Sequence, residues 1–487
     1  MRKNFRKLTI LTFLASNALS AGTNIKHTLL SPRPVIDDLA IEKTGQHNPR
    51  KFKEKYGYNF HKQASLFTRH SVKGEDVGKY FGVNGSNQIA IKNAATAAAV
   101  IADNSIDIWD RFLIHDHTPA GGVTTIDAIF NLNPKQEVYA LRLDFFGLLN
   151  NPIPRTFFKI SAPITYIETD LHTKYNTNIP DVGGDYISNF FNGSTVNSGD
   201  ATNLQDQLEY GRIDGTRKTV FGIADIDAHF GYRLVDGKTK RIYLSGLVTI
   251  PTGNRPKAIH LFEPIYGNGN HLALGWELDG SMRLWKKKRH TGSLDFTLRH
   301  KYTFEGSEKR IIPLNLPSYP FAHYYLAQKV GTAANAAGTP LFPAANVLAQ
   351  NITVRPGNSV EGMLNLKFKT ARFMIDTGYN IYYKEKENMH LRTVWSDDVY
   401  AIANAGYDTT AIFNAAAELV RINNDILDLN GALTPSQLSH KVFANIGYNF
   451  DVSKHPMHIG VGGSYEFADN NYELEGYEFW IKTSCAF

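Results

Sequence analysis

The sequence predicts an all-β chain folded as a transmembrane, antiparallel, up-and-down β-barrel of about twelve strands. Three observations carry that prediction. Apolar and polar residues alternate with period two in run after run, as in strands with one apolar and one wet face. The links between successive runs are alternately short and long, which puts every long link on one rim. The 487 residues, 43% of them hydrophobic, contain no apolar run of the roughly 20 residues that a membrane helix needs, so strands are the remaining way to cross a bilayer.

The chain opens with the three regions of a secretory signal peptide. Arg2, Lys3, Arg6 and Lys7 are basic, Leu8 to Ala15 is a short apolar core, and Ala18 or Ala21 offers a small residue for cleavage, which sets the leader at residues 1–21. The single cysteine, Cys485, rules out an internal disulfide framework and reads as a small apolar residue. The formal charge of +6 includes the four basic residues of the leader and falls to about +2 without them, a balance that excludes nucleic acid as a partner. Residues 22–57 are polar and turn-rich, with a basic cluster at Arg50, Lys51, Lys53 and Lys55. They are expected to form a solvated periplasmic extension, with the barrel over residues 58–487.

Tyr58 to Arg69 is the expected first strand, with Tyr58, Phe60, Ala64 and Leu66 on one face and Lys62 interrupting it. Ser71 to Thr125 lacks sustained alternation and is expected to be a loop folded over or into the barrel, with a short helix at Ala94 to Ala102. His115 and His117 flank Asp116, but no third ligand cluster accompanies them, so they read as loop residues and no cofactor or metal is expected. Strand faces then follow. Tyr139, Leu141, Leu143 and Phe145 oppose Arg142 and Asp144; Phe158, Ile160 and Ile164 oppose Lys159, Ser161 and Thr165; Ala224 to Leu234 sets Ile226, Phe230 and Tyr232 against Asp225, Asp227, His229 and Arg233. Ile242 to Ile250, Leu272 to Leu284, Leu294 to Phe304, Val360 to Lys369 and Arg372 to Lys384 repeat the pattern, and three more runs fill Ser439 to Phe487. Ile126 to Leu132 alternates on the opposite parity to the run from Tyr139, with Pro134 between them. As a separate barrel strand it would move the count toward fourteen, and loss of the Tyr58 strand would move it toward ten. Asp408 to Leu429 reads as an amphipathic helix in the longest outer loop, either narrowing the mouth or stiffening the loop.

The closing run puts Tyr477, Phe479, Ile481, Thr483, Cys485 and Phe487 at every second position counted back from the terminal Phe. It resembles the closing strand of bacterial, Gram-negative-type outer-membrane β-barrel proteins, of which porin-like channels are one kind. The resemblance implies an outer-membrane location, with membrane lipids, the barrel-assembly machinery and periplasmic chaperones as partners. It also implies that Tyr477, Phe479, Ile481 and Phe487 form the assembly signal. Aromatic pairs near strand ends, such as Tyr302 with Phe304 and Tyr448 with Phe450, suit the interfacial girdles of such barrels.

The expected function is passive diffusion of small hydrophilic solutes through the lumen. The expected pore-lining charges are Arg233, Arg283, Arg299, Lys301, Lys367, Lys369 and Arg372 against Asp225, Asp227, Asp279 and Asp376. With Lys441 and Lys482 against Glu277, Asp295, Glu466 and Glu478 on the same inward faces, cations are only modestly ahead, which implies at most a mild anion preference. Two other readings stand beside it. The charges could pair across the lumen and plug it, leaving a barrel for surface adhesion or display. An outer-membrane hydrolase would need a nucleophile beside His229, and no such signature is present.

Overall fold

The computed structural model describes residues 27–45, 60–83, 85–92, 107–109, 113, 127–149, 153–177, 186–196, 205–316, 319–330, 341–370, 372–402, 420–452 and 455–487. Twelve strands close on themselves: β1 (Phe60–Val72), β2 (Lys135–Leu149), β3 (Thr156–Asp170), β4 (Ile226–Asp236), β5 (Lys240–Ile250), β6 (Ala273–Lys287), β7 (His290–Thr303), β8 (Gly357–Lys369), β9 (Phe373–Lys384), β10 (Gln437–Val452), β11 (His455–Ala468) and β12 (Glu475–Ala486). Each pairs antiparallel with its sequence neighbours. The seam is the β1–β12 ladder, which runs from His61↔Ala486 to Val72↔Glu475. Phe60 and Phe487 extend it by exchanging both backbone hydrogen bonds. Closure removes every free edge, which is what lets a sheet sit in lipid without unpaired N–H and C=O groups.

The alternation seen in the sequence is the division between lipid and lumen. Leu66, Leu364 and Phe479 point outward and are 58%, 55% and 61% exposed, while Arg142, Glu277, Arg299 and Lys441 point inward and are buried. Two aromatic girdles mark the outer wall. Near the short-turn rim Phe60 stacks on Phe145 and Phe487 at 5.8 Å each, and Phe373 meets Tyr448 at 5.2 Å. Near the long-loop rim His70 stacks on Tyr477 at 5.3 Å and Tyr139 lies 6.2 Å from Tyr166. The ten-residue step from Phe60 to His70 on a tilted strand spans roughly 25 Å, the height of a membrane barrel's apolar band. Lys62, which interrupts the apolar face of β1, lies at the lower girdle with its ammonium 5.2 Å from the Phe487 ring. It reaches for the interface along its own aliphatic stem.

Above the long-loop rim the loops build a cap with its own core. Gly306–Ile311, Ala349–Arg355 and Asn388–Leu391 form one sheet; Gln88–Lys92, Asp127–Asn131 and Lys174–Thr177 pair in a second; Leu326–Lys329, Phe342–Pro343, Tyr400–Ile402 and Val420–Arg421 make a third. Tyr80, Phe190, Phe191, Tyr324 and Leu348 are buried in the cluster beneath them.

Several expectations change here. The Ile126 to Leu132 alternation is real, but its strand belongs to the cap, so the barrel count stays at twelve. The expected Asp408–Leu429 helix does not run through its last ten positions. These hold the strand Val420–Arg421 and the 3-10 turn Asn424–Ile426, because Ile402 and Ala401 offer Val420 and Arg421 a ladder. Residues 408–419, the leader, the basic cluster at Arg50 to Lys55, the Ala94–Ala102 segment and the His115–His117 pair lie outside the described residues. The largest change concerns the segment before β1, which was expected in solvent.

Candidate functional site

Residues 27–45 run down the inside of the barrel, from the cap toward the short-turn rim, as a strap across the lumen. At the top, the Thr28 hydroxyl donates to Ile311 O at 2.7 Å, Tyr80 donates to Leu29 O at 2.7 Å, and Gln437 donates to Ser31 O at 3.0 Å. His27 stacks on the Tyr80 ring at 4.2 Å. At mid-depth the chain makes one helical turn, α1 (Leu39–Lys43). Asp38 caps it by accepting from Ile41 N at 3.0 Å. The carbonyls that such a turn leaves free are met by the Lys482 ammonium, which donates to Ile41 O and, at 2.6 Å, to Thr44 O. Gly45 follows at φ +67°, the left-handed position that glycine adopts without strain, and donates its N–H to Asp376 at 3.1 Å. Leu39, Ala40 and Ile41 join Val35 in a small apolar cluster with inward-facing Phe67, Val138, Ile167 and Trp480.

Every charge on the strap meets the opposite charge on the wall. Arg33 pairs with Glu361 and, at 2.7 Å, with Glu466. Asp37 takes Lys301 at 2.6 Å, and Asp38 takes Lys441 at 2.8 Å and Arg69 at 3.3 Å. Glu42 gathers Arg142 at 2.7 Å, Lys159 at 2.6 Å and Arg299 at 2.6 Å; Lys43 answers with Glu277 at 2.7 Å and Asp279 at 2.8 Å. Such buried pairs are held by mutual compensation. Taking away one partner strands the other at a cost of about 3–5 kcal/mol.

The sequence-predicted lining is partly this wall. Arg299, Lys301, Asp227 and Asp279 belong to the strap network, directly or through Lys301. Asp376 binds the strap backbone and Asn365 and Asn445. Lys367 bridges Asp295 at 2.7 Å and Asp376 at 3.6 Å. Arg233 lies at the short-turn end, tied to Asp236 at 2.7 Å. One residue leaves the list. Arg372 sits on the β8–β9 turn and reaches outward, donating to the Tyr448 hydroxyl at 2.8 Å. Its parity was inward, but a turn ends the alternation. Asp225 lies in the break between Lys218–Ile223 and β4, where it accepts from Gly253 N at 3.1 Å and Asn268 N at 2.7 Å. It lines a small void beside the strap with Asp37 and Lys301. His229 faces inward with Nδ1 3.4 Å from the Ser245 hydroxyl, while Asp227 is held by Lys301 and Thr249 and does not orient the imidazole. The four residues of the expected assembly signal all lie on the outer face of the closing strand or at its end.

Below the strap the lumen widens into a vestibule of about 250 Å³ that reaches the short turns. Lys43 and Glu277 stand at its closed end; Lys238, Arg241, Arg283 and Lys369 stand near its mouth. Voids of about 10 and 30 Å³ beside the upper strap are too small for more than a water molecule. Sequence reading missed the strap because its charges look like those of any solvated segment. The signal that could have found it is the string Asp37, Asp38, Leu39 to Lys43, a capped helical turn with apolar residues, embedded in otherwise structureless chain.

The fold and lumen define a class: a membrane-type β-barrel of twelve strands with an internal N-terminal strap. No protein-family model and no curated protein sequence matches the chain. Among solved structures it is similar to an outer-membrane channel from Pseudomonas putida F1, at 9% identity and a TM-score of 0.37, covering 88% of this chain and 96% of that one. It is also similar to the Pseudomonas putida toluene transporter TodX, at 8% identity and a TM-score of 0.35, covering 94% of each chain. A third is the β domain of the Bordetella autotransporter BrkA, at 9% identity and a TM-score of 0.31, covering 88% of this chain and 100% of that one. These likenesses name no family; the class rests on the closed strand ladder and the apolar band.

Proposed function

We propose that this protein is an outer-membrane channel for small hydrophilic solutes, with a mild preference for anions, held shut by residues 27–45. One observation carries the reading: the strap is attached to the wall by ion pairs and hydrogen bonds with only a small apolar anchor. Water can take over those polar contacts when the strap leaves, so the wall that binds it is also a wall that suits a wet pore. The cations near the vestibule mouth supply the anion preference. Export through a cleaved leader, insertion by the assembly machinery through the β12 terminus, and the absence of enzymatic chemistry belong to the same reading.

The test compares planar-bilayer recordings of the mature chain with a chain that begins at residue 46. The mature chain should be silent or open rarely, and the shortened chain should give persistent steps whose reversal potential in a salt gradient lies on the anion side. Silence from both, with folding verified by heat-modifiable gel mobility, would leave the plugged barrel of adhesion or display. A cation-side reversal would remove the anion preference.

A further inference from the structure

The vestibule holds a feature that the strap network does not use. In the upper lumen each arginine is matched by carboxylates. Arg241 and Arg283 are different: Arg241 Nη2 donates to the Ser281 hydroxyl at 2.9 Å and Arg283 Nη2 donates to the backbone carbonyl of Lys238. Among the described residues neither has a carboxylate within ion-pairing distance. The two lie on adjacent strands, β5 and β6, where Arg241 pairs with Ser281 and Arg283 is two residues further along β6, and both line the cavity. The Ser281 hydroxyl in turn donates to Asp295 at 2.5 Å, so Arg241 has a carboxylate one hydroxyl away, and Asp295 also holds Lys367 at 2.7 Å. Two guanidiniums without a direct carboxylate partner are half of an anion site.

The other half is apolar. Three further aromatic rings stand inside the barrel at the vestibule, apart from the Phe67 and Trp480 cluster that anchors the strap. Phe146 stacks on Phe157 at 5.3 Å and 25°, and Phe157 meets Tyr243 at 5.8 Å and 46°. The arrangement is built: Gly231 lies on the inner face of β4, and a Cβ there would come within 2.3 Å of the Phe157 ring. Only the absent side chain lets the ring stand where it does. All three rings line the same cavity as the two arginines, and Tyr243 is two residues from Arg241 on β5.

We propose that the vestibule is a binding site for a small aromatic carboxylate. Its ring would lie on the Phe146–Phe157–Tyr243 wall and its carboxylate between Arg241 and Arg283. A cavity of 250 Å³ accommodates one or two fused rings. The site deepens the channel reading by naming a solute class, and it rests on that reading for the solute's onward passage. Occupancy itself needs no movement of the strap, because the vestibule reaches the short-turn rim below it.

The experiment is equilibrium dialysis of 2-naphthoate against the mature chain in lipid nanodiscs, with binding to empty nanodiscs subtracted. One saturable site is expected. The double variant Arg241→Gln/Arg283→Gln should bind at least about tenfold more weakly, as should the uncharged 2-naphthalenemethanol on the unmodified chain. Phe157→Leu and the aliphatic anion heptanoate should each weaken binding several-fold. Raising salt from about 50 to 500 mM should weaken naphthoate binding, a readout that needs no variant to fold. No saturable binding, a double variant with unchanged affinity, heptanoate bound as tightly as naphthoate, or binding indifferent to salt would each overturn the proposal. Saturable binding to the mature chain beside silence from the chain that begins at residue 46 would count against the channel alone; persistent conductance of that shortened chain without binding would count against this site alone.

Discussion

Glu42 of the strap and Arg299 of β7 lie 2.6 Å apart in the middle of the barrel, and this contact ties the N-terminal segment to the wall. Arg299 also pairs with Glu277, and Glu42 also holds Arg142 and Lys159, so one strap carboxylate serves three wall cations from three strands. Replacing Glu42 by Ala therefore removes an interaction made in the closed state only, since with the strap withdrawn Glu42 is hydrated and the wall cations keep Asp144 and Glu277. The closed state should lose about 3–5 kcal/mol. The expected result is a clear rise in open probability in bilayer recordings, while gel mobility shows a folded barrel. An E42A protein as silent as the parent would show that the strap does not gate conductance.

A pH dependence follows from Glu473, in the loop between β11 and β12. Burial, reinforced by the nearby Glu466 carboxylate, pushes its pKa up to about 7, against the opposing pull of Arg33 and of the N–H groups of Leu474 and Arg33. With the strap in place the group binds a proton over a range where a solvated glutamate does not. The strapped state is thus favoured on the acid side and loses that advantage as pH rises through about 5 to 7. Opening should increase between about pH 5 and pH 8, and Glu473→Gln should flatten the profile. A profile unchanged in the variant would assign the dependence to other groups.

The cap has the opposite sign. Arg310 stands between Glu308 at 2.7 Å and Glu387 at 2.6 Å, and Glu308 also meets His271 at 2.8 Å. Burial alone would raise both carboxyls, but Arg310 holds each below the ordinary glutamate value. A depressed carboxylate contributes stability that is present above its unfolded pKa and lost as pH falls. Hydrogen-exchange protection of the Gly306–Ile311 strand, corrected for intrinsic rates, should therefore drop below about pH 4.5. Unchanged protection down to pH 3 would contradict this.

Gly231→Ala tests the packing of the inner aromatic wall. A methyl group would meet the Phe157 ring at 2.3 Å and the Leu244 carbonyl at 2.8 Å, so the ring must turn into the vestibule or the β4–β5 ladder must shift. Overpacking of this kind costs about 1–3 kcal/mol. The urea midpoint should fall without a change in m-value, and naphthoate binding should weaken with it.

Much of the barrel was legible. The parity of Leu141 against Arg142, or of Ile375 against Asp376, survives into the structure because a strand has only two faces and lipid and water select one each. Loop lengths were equally legible, since covalent distance is written in the chain. The lumen's occupancy was not. Asp37, Asp38 and Glu42 carry the same charges in solvent as against Lys301, Lys441 and Arg299, and nothing local distinguishes the two settings.

Alternation and the sorting of long loops to one rim were determined by sequence alone, because each depends on near neighbours and chain length. The strand number was settled only by tertiary structure, which pairs Asp127–Asn131 within the cap. Whether the lumen is open or strapped, and which arginines keep a carboxylate partner, was decided by tertiary structure. Those outcomes depend on groups such as Glu42 and Arg299, separated by 257 positions in the chain, meeting inside a closed wall.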